Sequence, residues 1–158
     1  MLLEGVGNIQ EAIAKLNKTG FARDLLIIDT PGSMMRIVKA AVAVADCVIL
    51  PVQASILDMI AQEEAALVVD EANKDSRLLV VLSRVDGRED VEDSVKRVIS
   101  RLRNRPIQIN QRIAYKRAHI AGQSGAEIDR ECSTEISRLW AAVQKILKEE
   151  HDGQDAYG

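Results

Sequence analysis

The amino-acid sequence predicts an α/β fold: a mostly parallel sheet with helices on both faces. Two observations carry this. Apolar runs at residues 25–28, 47–52 and 78–82 have the length and the lack of alternation of strands covered on both sides. The segments between them run to ten residues or more and carry apolar side chains at helical spacing, so the repeating unit is strand, helix, strand. Such units cross over right-handed and lay successive strands parallel.

Taken in order, Ile9, Ala12, Ile13 and Leu16 recur at helical spacing, with Asn8 as cap and Gly20 as stop, which predicts a helix over 9–19. A buried strand over 25–29 follows and ends in Asp29, before the Thr30-Pro31-Gly32 turn. Residues 33–45, rich in Met, Ile, Val and Ala, form the next helix, which Asp46 ends ahead of a strand over 47–52. A helix over 57–74, a strand over 78–82 and a long helix over 89–103 come next. A weaker strand at 106–109, a helix at 111–121, a turn at 122–125 and an amphipathic helix at 132–149 complete the chain. No repeat or linker divides it, so residues 1–150 are expected to form one domain and 151–158 a frayed tail.

A chain of 158 residues, 47% hydrophobic and 28% charged, suits one globular domain with a real core and excludes a disordered chain. Aromatics are only 3%, so aliphatic side chains supply the burial. Lys39 and Asp46 interrupt the apolar stretch 37–52, and the amino terminus lacks a basic flank before an apolar run. Neither a membrane span nor a signal peptide is therefore expected. Cys47 and Cys132 lack the spacing of a disulfide framework or a metal site, which points to a reducing cytoplasm.

The net charge of -3 hides an asymmetry. Asp86, Glu89, Asp90, Glu92 and Asp93 crowd the start of the long helix, where negative charge complements the helix dipole. Eight basic residues then occur between Ser94 and Ile120 without an Asp or Glu: Lys96, Arg97, Arg101, Arg103, Arg105, Arg112, Lys116 and Arg117. A solvated helix with dipole-matched ends accounts for the first part of this stretch but less readily for Arg112 to Arg117.

Asp29 is the residue most directly tied to chemistry. In open α/β sheets ligands bind beyond the carboxyl ends of the strands, and a carboxylate there could hold the water shell of Mg²⁺ on a nucleotide. A turn whose acid merely caps the helix near Ser33 explains the same residues. The phosphate cradle is missing, because no Gly-x-x-x-x-Gly-Lys-Ser/Thr segment occurs.

The order of motifs resembles the ParA family of partition ATPases, in the deviant-Walker group that includes the division-site selector MinD. Asp24-Leu25-Leu26-Ile27-Ile28-Asp29-Thr30-Pro31-Gly32 is similar to its Walker B strand. Ala45-Asp46-Cys47-Val48-Ile49-Leu50-Pro51-Val52-Gln53-Ala54-Ser55, with Asp58, resembles the segment that follows. Val80-Val81-Leu82-Ser83-Arg84-Val85 looks like the strand that ends beside the base. Ile113-Ala114-Tyr115-Lys116-Arg117-Ala118 and Gly122-Gln123-Ser124 resemble the late run of the family. The likeness covers residues 24 to about 148, and it implies an incomplete P-loop NTPase fold, since the chain opens near the family's midpoint.

The resemblance implies that Asp29 is the catalytic and metal-side carboxylate, with ATP and Mg²⁺ as the family's cofactors. Thr30, Pro31, Gly32, Pro51, Ser83 and Arg84 would border the nucleotide, although Ser83 stands where many relatives have Asn and offers one short hydroxyl in its place. Without the phosphate loop, this chain alone is expected neither to bind ATP tightly nor to hydrolyse it. Arg101, Arg105, Arg112, Lys116 and Arg117 are the candidates for sequence-independent DNA binding. The implied role is ATP-dependent segregation of plasmid or chromosomal DNA by a cytoplasmic, nucleoid-associated protein. Its implied partners are non-specific DNA, a ParB-type centromere adaptor, and a second copy or full-length ParA-type protein as dimer mate, with no membrane involved. The alternatives are a non-catalytic module that docks on a full-length relative or its adaptor, and a decayed remnant with no activity.

Overall fold

A computed structural model of the chain describes residues 9–18, 25–31, 35–53, 55–86 and 106–155. The chain divides into two compact units, Met1–Ala45 and Asp46–Gly158.

The first unit contains helices α1 (Ile9–Lys18) and α2 (Met35–Val44), which pack together. Glu11 and Lys15 pair one turn apart on α1, and Ala41 and Val42 of α2 are buried. The expected strand over 25–29 is not formed. Residues 25–31 are irregular, Leu25, Leu26 and Asp29 are exposed, and Ile27 is 81% exposed. An apolar run supplies only one requirement of a strand; the other is a neighbour that takes up its backbone N–H and C=O groups, and no described strand pairs with this segment.

The second unit is built on a three-stranded parallel sheet in the order β1 (Val48–Gln53), β2 (Leu78–Val85), β3 (Ile107–Asn110). Helix α3 (Ile56–Glu71) and a 3-10 turn (Asp75–Arg77) connect β1 to β2. Val48 to Gln53 pair in register with Leu78 to Ser83, and Val81 to Ser83 with Ile107 to Ile109. Pro51 lies in β1, which has one neighbour among the described strands; at such an edge a missing N–H need not break the ladder.

Strand alternation divides the core between two faces. Leu79 and Ile107 on one face pack against Val143, Ile146 and Leu139 of the long helix α6 (Arg130–Asp155). On that same face Ile49, Pro51 and Gln53 of β1 are exposed, while Leu50 and Val52 are buried on the other. Since α3 lies against β1, it covers the Leu50 and Val52 side, and the sheet is flanked by helices on both faces. Fully enclosed Val52, Val69, Val80 and Leu82 mark its centre.

Two helices end in the same way. After α3, Asn73 adopts φ 55° and its N–H donates to Asp70 O, while Lys74 N–H donates to Val69 O. After α4 (Ile113–Ile120), Gly122 adopts φ 68° and donates to His119 O, while Gln123 donates to Ala118 O. Both are Schellman closures, which require a residue tolerant of the left-handed region. A short helix α5 (Gly125–Ile128) starts at the last residue of the turn expected over 122–125, and α6 starts two residues earlier than expected and continues to Asp155. The expected helix over 89–103 lies outside the described residues. Among the described residues no helix is long and apolar enough to cross a membrane.

Candidate functional site

All three strands run parallel, so their carboxyl ends meet at one edge of the sheet. β1 ends in Gln53, β2 in Ser83-Arg84-Val85 and β3 in Asn110. The β2 end is kinked. Its register with β3 shifts between Ser83 and Val85, and the intervening Arg84 takes φ 57°, a left-handed conformation that a residue with a Cβ adopts at a cost. This bulge leaves Arg84 exposed, while Val85 stays buried and its carbonyl accepts the N–H of Gln111. Half-buried Ser83 turns its hydroxyl back into the sheet and donates to the carbonyl of Val52 at 3.4 Å.

Of the expected nucleotide-side residues, Pro51, Ser83 and Arg84 thus lie on neighbouring strands of one sheet, the last two at the tip of β2. Asp29 and Pro31 are exposed and Thr30 is half-buried in the irregular segment of the first unit. Gly32 lies outside the described residues. The chain has no glycine-rich Lys-Ser/Thr loop, the Ser83 hydroxyl is engaged with Val52, and the described residues contain no cluster of three metal-ligating side chains.

Beyond the tip of β3 the chain builds a polar network about Glu135, which is only 4% exposed. Its Oε1 accepts from Asn110 Nδ2 at 2.6 Å, Arg112 Nε at 3.0 Å and Arg112 Nη2 at 2.9 Å. Its Oε2 accepts from the Tyr115 hydroxyl at 3.0 Å. A second carboxylate, exposed Glu131, takes Arg112 Nη1. Burial is the largest single influence on Glu135 and pushes its pKa up, yet the donors from Arg112, Asn110 and Tyr115 together hold it below the usual carboxylate range. Burial and the bond to Glu135 push the Tyr115 hydroxyl well above its ordinary value. Asp129 caps α6 by accepting the N–H of Cys132 at 2.9 Å, which lowers its own pKa.

Gly125 completes this arrangement. A Cβ there would stand 2.4 Å and 2.6 Å from two carbons of the Tyr115 ring, and the ring is tied by its hydroxyl to Glu135. Gly125→Ala is therefore expected to destabilise the protein by about 1–3 kcal/mol through overpacking, read as a lower denaturant midpoint at unchanged slope.

The basic candidates separate. Arg101 and Arg105 lie outside the described residues. Arg112 pairs with Glu135 and Glu131. Lys116 and Arg117 are exposed. With Ile113 (68% exposed) and Ile120 (87% exposed) they occupy positions i, i+3, i+4 and i+7, one face of α4 turned to solvent. Glu135 escaped the sequence reading because α6 is dense in charged residues. A signal for it exists: Cys132, Glu135, Leu139, Ala142, Val143 and Ile146 share one helical stripe, so Glu135 is the acid on an otherwise apolar face.

A helix-flanked parallel sheet with polar strand tips on one edge is an architecture of the P-loop NTPase-like α/β class. Residues 4–123 match the family model described as ATPase MipZ, and the chain belongs to that family of ParA-like ATPases of chromosome segregation and division positioning. No curated protein and no solved structure matches the chain.

Proposed function

We propose that this chain serves a ParA-type partition ATPase as its DNA-anchoring part, holding duplex DNA without regard to sequence through the outward face of α4. The observation that carries this reading is the exposed pair Lys116 and Arg117 on that face, at the end of a stretch from Ser94 to Ile120 without an acidic residue. Cations placed on phosphates release counterions, so the affinity comes from charge and falls steeply with salt. The nucleotide-side roles of Asp29, Thr30, Pro31, Gly32, Pro51, Ser83 and Arg84, and a ParB-type adaptor as partner, belong to the same reading.

The test is binding to a random duplex across a salt series. Wild-type affinity is expected to fall log-linearly with salt, and Lys116→Gln/Arg117→Gln to make the slope shallower by about 2. A slope unchanged by the double substitution sinks the proposal. In the same preparation, titration calorimetry is expected to find no micromolar affinity for Mg-ATP, because the sequence lacks the amide nest that grips a triphosphate.

One observation favours a second reading, a non-catalytic module that docks on a full-length relative. Leu25, Leu26 and Ile27 are consecutive, apolar and exposed, which fits a segment that pairs with a partner chain. Crosslinking of this segment to a co-expressed full-length ParA-type protein would support that reading, and a lone monomer in the same mixture would end it.

A further inference from the structure

We propose that Glu135 is a positioning residue which fixes the basic face of α4 against the carboxyl edge of the sheet; this rests on the DNA-anchoring reading above. Besides its packing on α5 and the closure at its carboxyl end, helix α4 has little burial of its own to hold its pose. It is eight residues long, too short to be stable by itself. Ala118 is its single buried residue, and its N-cap residue, Arg112, makes no side-chain capping bond to it. What the helix does have is two anchors on one carboxylate: Arg112 just ahead of its first turn and Tyr115 within that turn.

The same carboxylate takes Asn110, the last residue of β3. Glu135 therefore ties three successive features, the strand tip, the helix start and the first helical turn, to the packed helix α6. Tyr115 is held from a second side by Gly125, where no Cβ fits. Lys116 and Arg117 follow Tyr115 directly in sequence, so the direction in which they point is set by where Tyr115 is held. The segment matched by the family model ends at residue 123, so the match assigns no role to Glu135.

A competing view gives the opposite sign. If Glu135 only neutralises Arg112, removing its charge releases a third cation on the same side of the protein, and DNA binding should tighten with a steeper salt slope. If Glu135 positions α4, binding should weaken and the slope become shallower by about 1, because Lys116 and Arg117 no longer reach phosphates together.

The experiment uses Glu135→Gln, which keeps the side-chain shape and one acceptor while removing the charge. Duplex binding across a salt series is measured together with amide hydrogen exchange. Exchange over residues 113–120 is expected to accelerate by at least about tenfold, as suits the loss of a charge-assisted hydrogen bond, while exchange in β2 stays unchanged. In the Lys116→Gln/Arg117→Gln background, Glu135→Gln is expected to have no further effect on DNA binding. Tighter binding, or unaltered exchange over 113–120 in a folded Glu135→Gln variant, overturns the proposal. Should that variant not fold, Tyr115→Phe removes one donor and leaves the ring in place; faster exchange in α4 supports the clamp, and unchanged exchange overturns it. Failure of wild-type protein to bind DNA would end the anchoring reading, and the exchange measurement would still decide whether Glu135 holds α4.

Discussion

Glu135→Ala is expected to lower the free energy of unfolding by about 3 kcal/mol. Deleting the carboxylate strands Asn110 Nδ2, two nitrogens of Arg112 and the Tyr115 hydroxyl at once. Removing one member of a buried ion pair commonly costs about 3–5 kcal/mol, because the remaining charge is left uncompensated. The low end applies here, since the Arg112 side chain is 27% exposed and keeps Glu131. Single domains hold only about 5–15 kcal/mol in total, so the loss is large. Denaturant titration at neutral pH checks it, and an effect below about 1 kcal/mol would show that water replaces the contact without penalty.

Acid should reproduce part of this loss. The folded-state pKa of Glu135 is depressed below its ordinary value, so the folded state binds its proton less readily than the unfolded chain does. Its contribution is fully present above the unfolded carboxylate value, about 4.3, and is lost as pH falls through the lower folded value. Glu135→Gln is expected to flatten the acid limb of the stability curve, with little change in its slope above about pH 6.

Leu82→Ala is expected to cost about 3–5 kcal/mol, the upper part of the range for a buried leucine. Leu82 is fully enclosed and lies in β2, the central strand, paired in register with Val52 on one side and Gln108 on the other. A strand laddered on both sides cannot move inward to close the cavity, and the neighbouring Val52 and Val80 are themselves buried and short. The comparison is Leu67→Ala on α3, where the side chain is 41% exposed and the change should stay within about 0.5 kcal/mol. Equal losses at the two positions would mean that β2 is not the centre of the core.

Legibility of the fold in the sequence tracks how local each signal is. The run at 78–82 announced β2 because that strand is buried on both faces, the run at 47–52 announced β1 although only Leu50 and Val52 are buried and Ile49 and Pro51 are exposed, and β2 continues through Ser83 and Arg84 only by means of a bulge that apolar patterning cannot encode. Helices α1 to α4 lie within a few residues of their expected bounds, which apolar spacing sets. The irregular 25–31 segment shows the limit of this logic: four apolar residues looked like a strand, but pairing depends on a distant neighbour. The same holds for Arg112, whose sequence surroundings are basic and whose actual partners, Glu131 and Glu135, stand 19 and 23 residues further on.

By itself, then, the sequence determined the alternation of strands and helices, the parallel sheet, the absence of a glycine-rich phosphate loop and the run of cations without acids, because composition, periodicity and short motifs are properties of contiguous residues. The tertiary structure alone decided which of those cations face outward, that Tyr115 and Gly125 interlock, and that one carboxylate on α6 gathers the tip of β3 and the start of α4. Such relations join residues that are remote in the chain, and they come into existence only when burial brings the donors to Glu135 and excludes the water that would otherwise satisfy them.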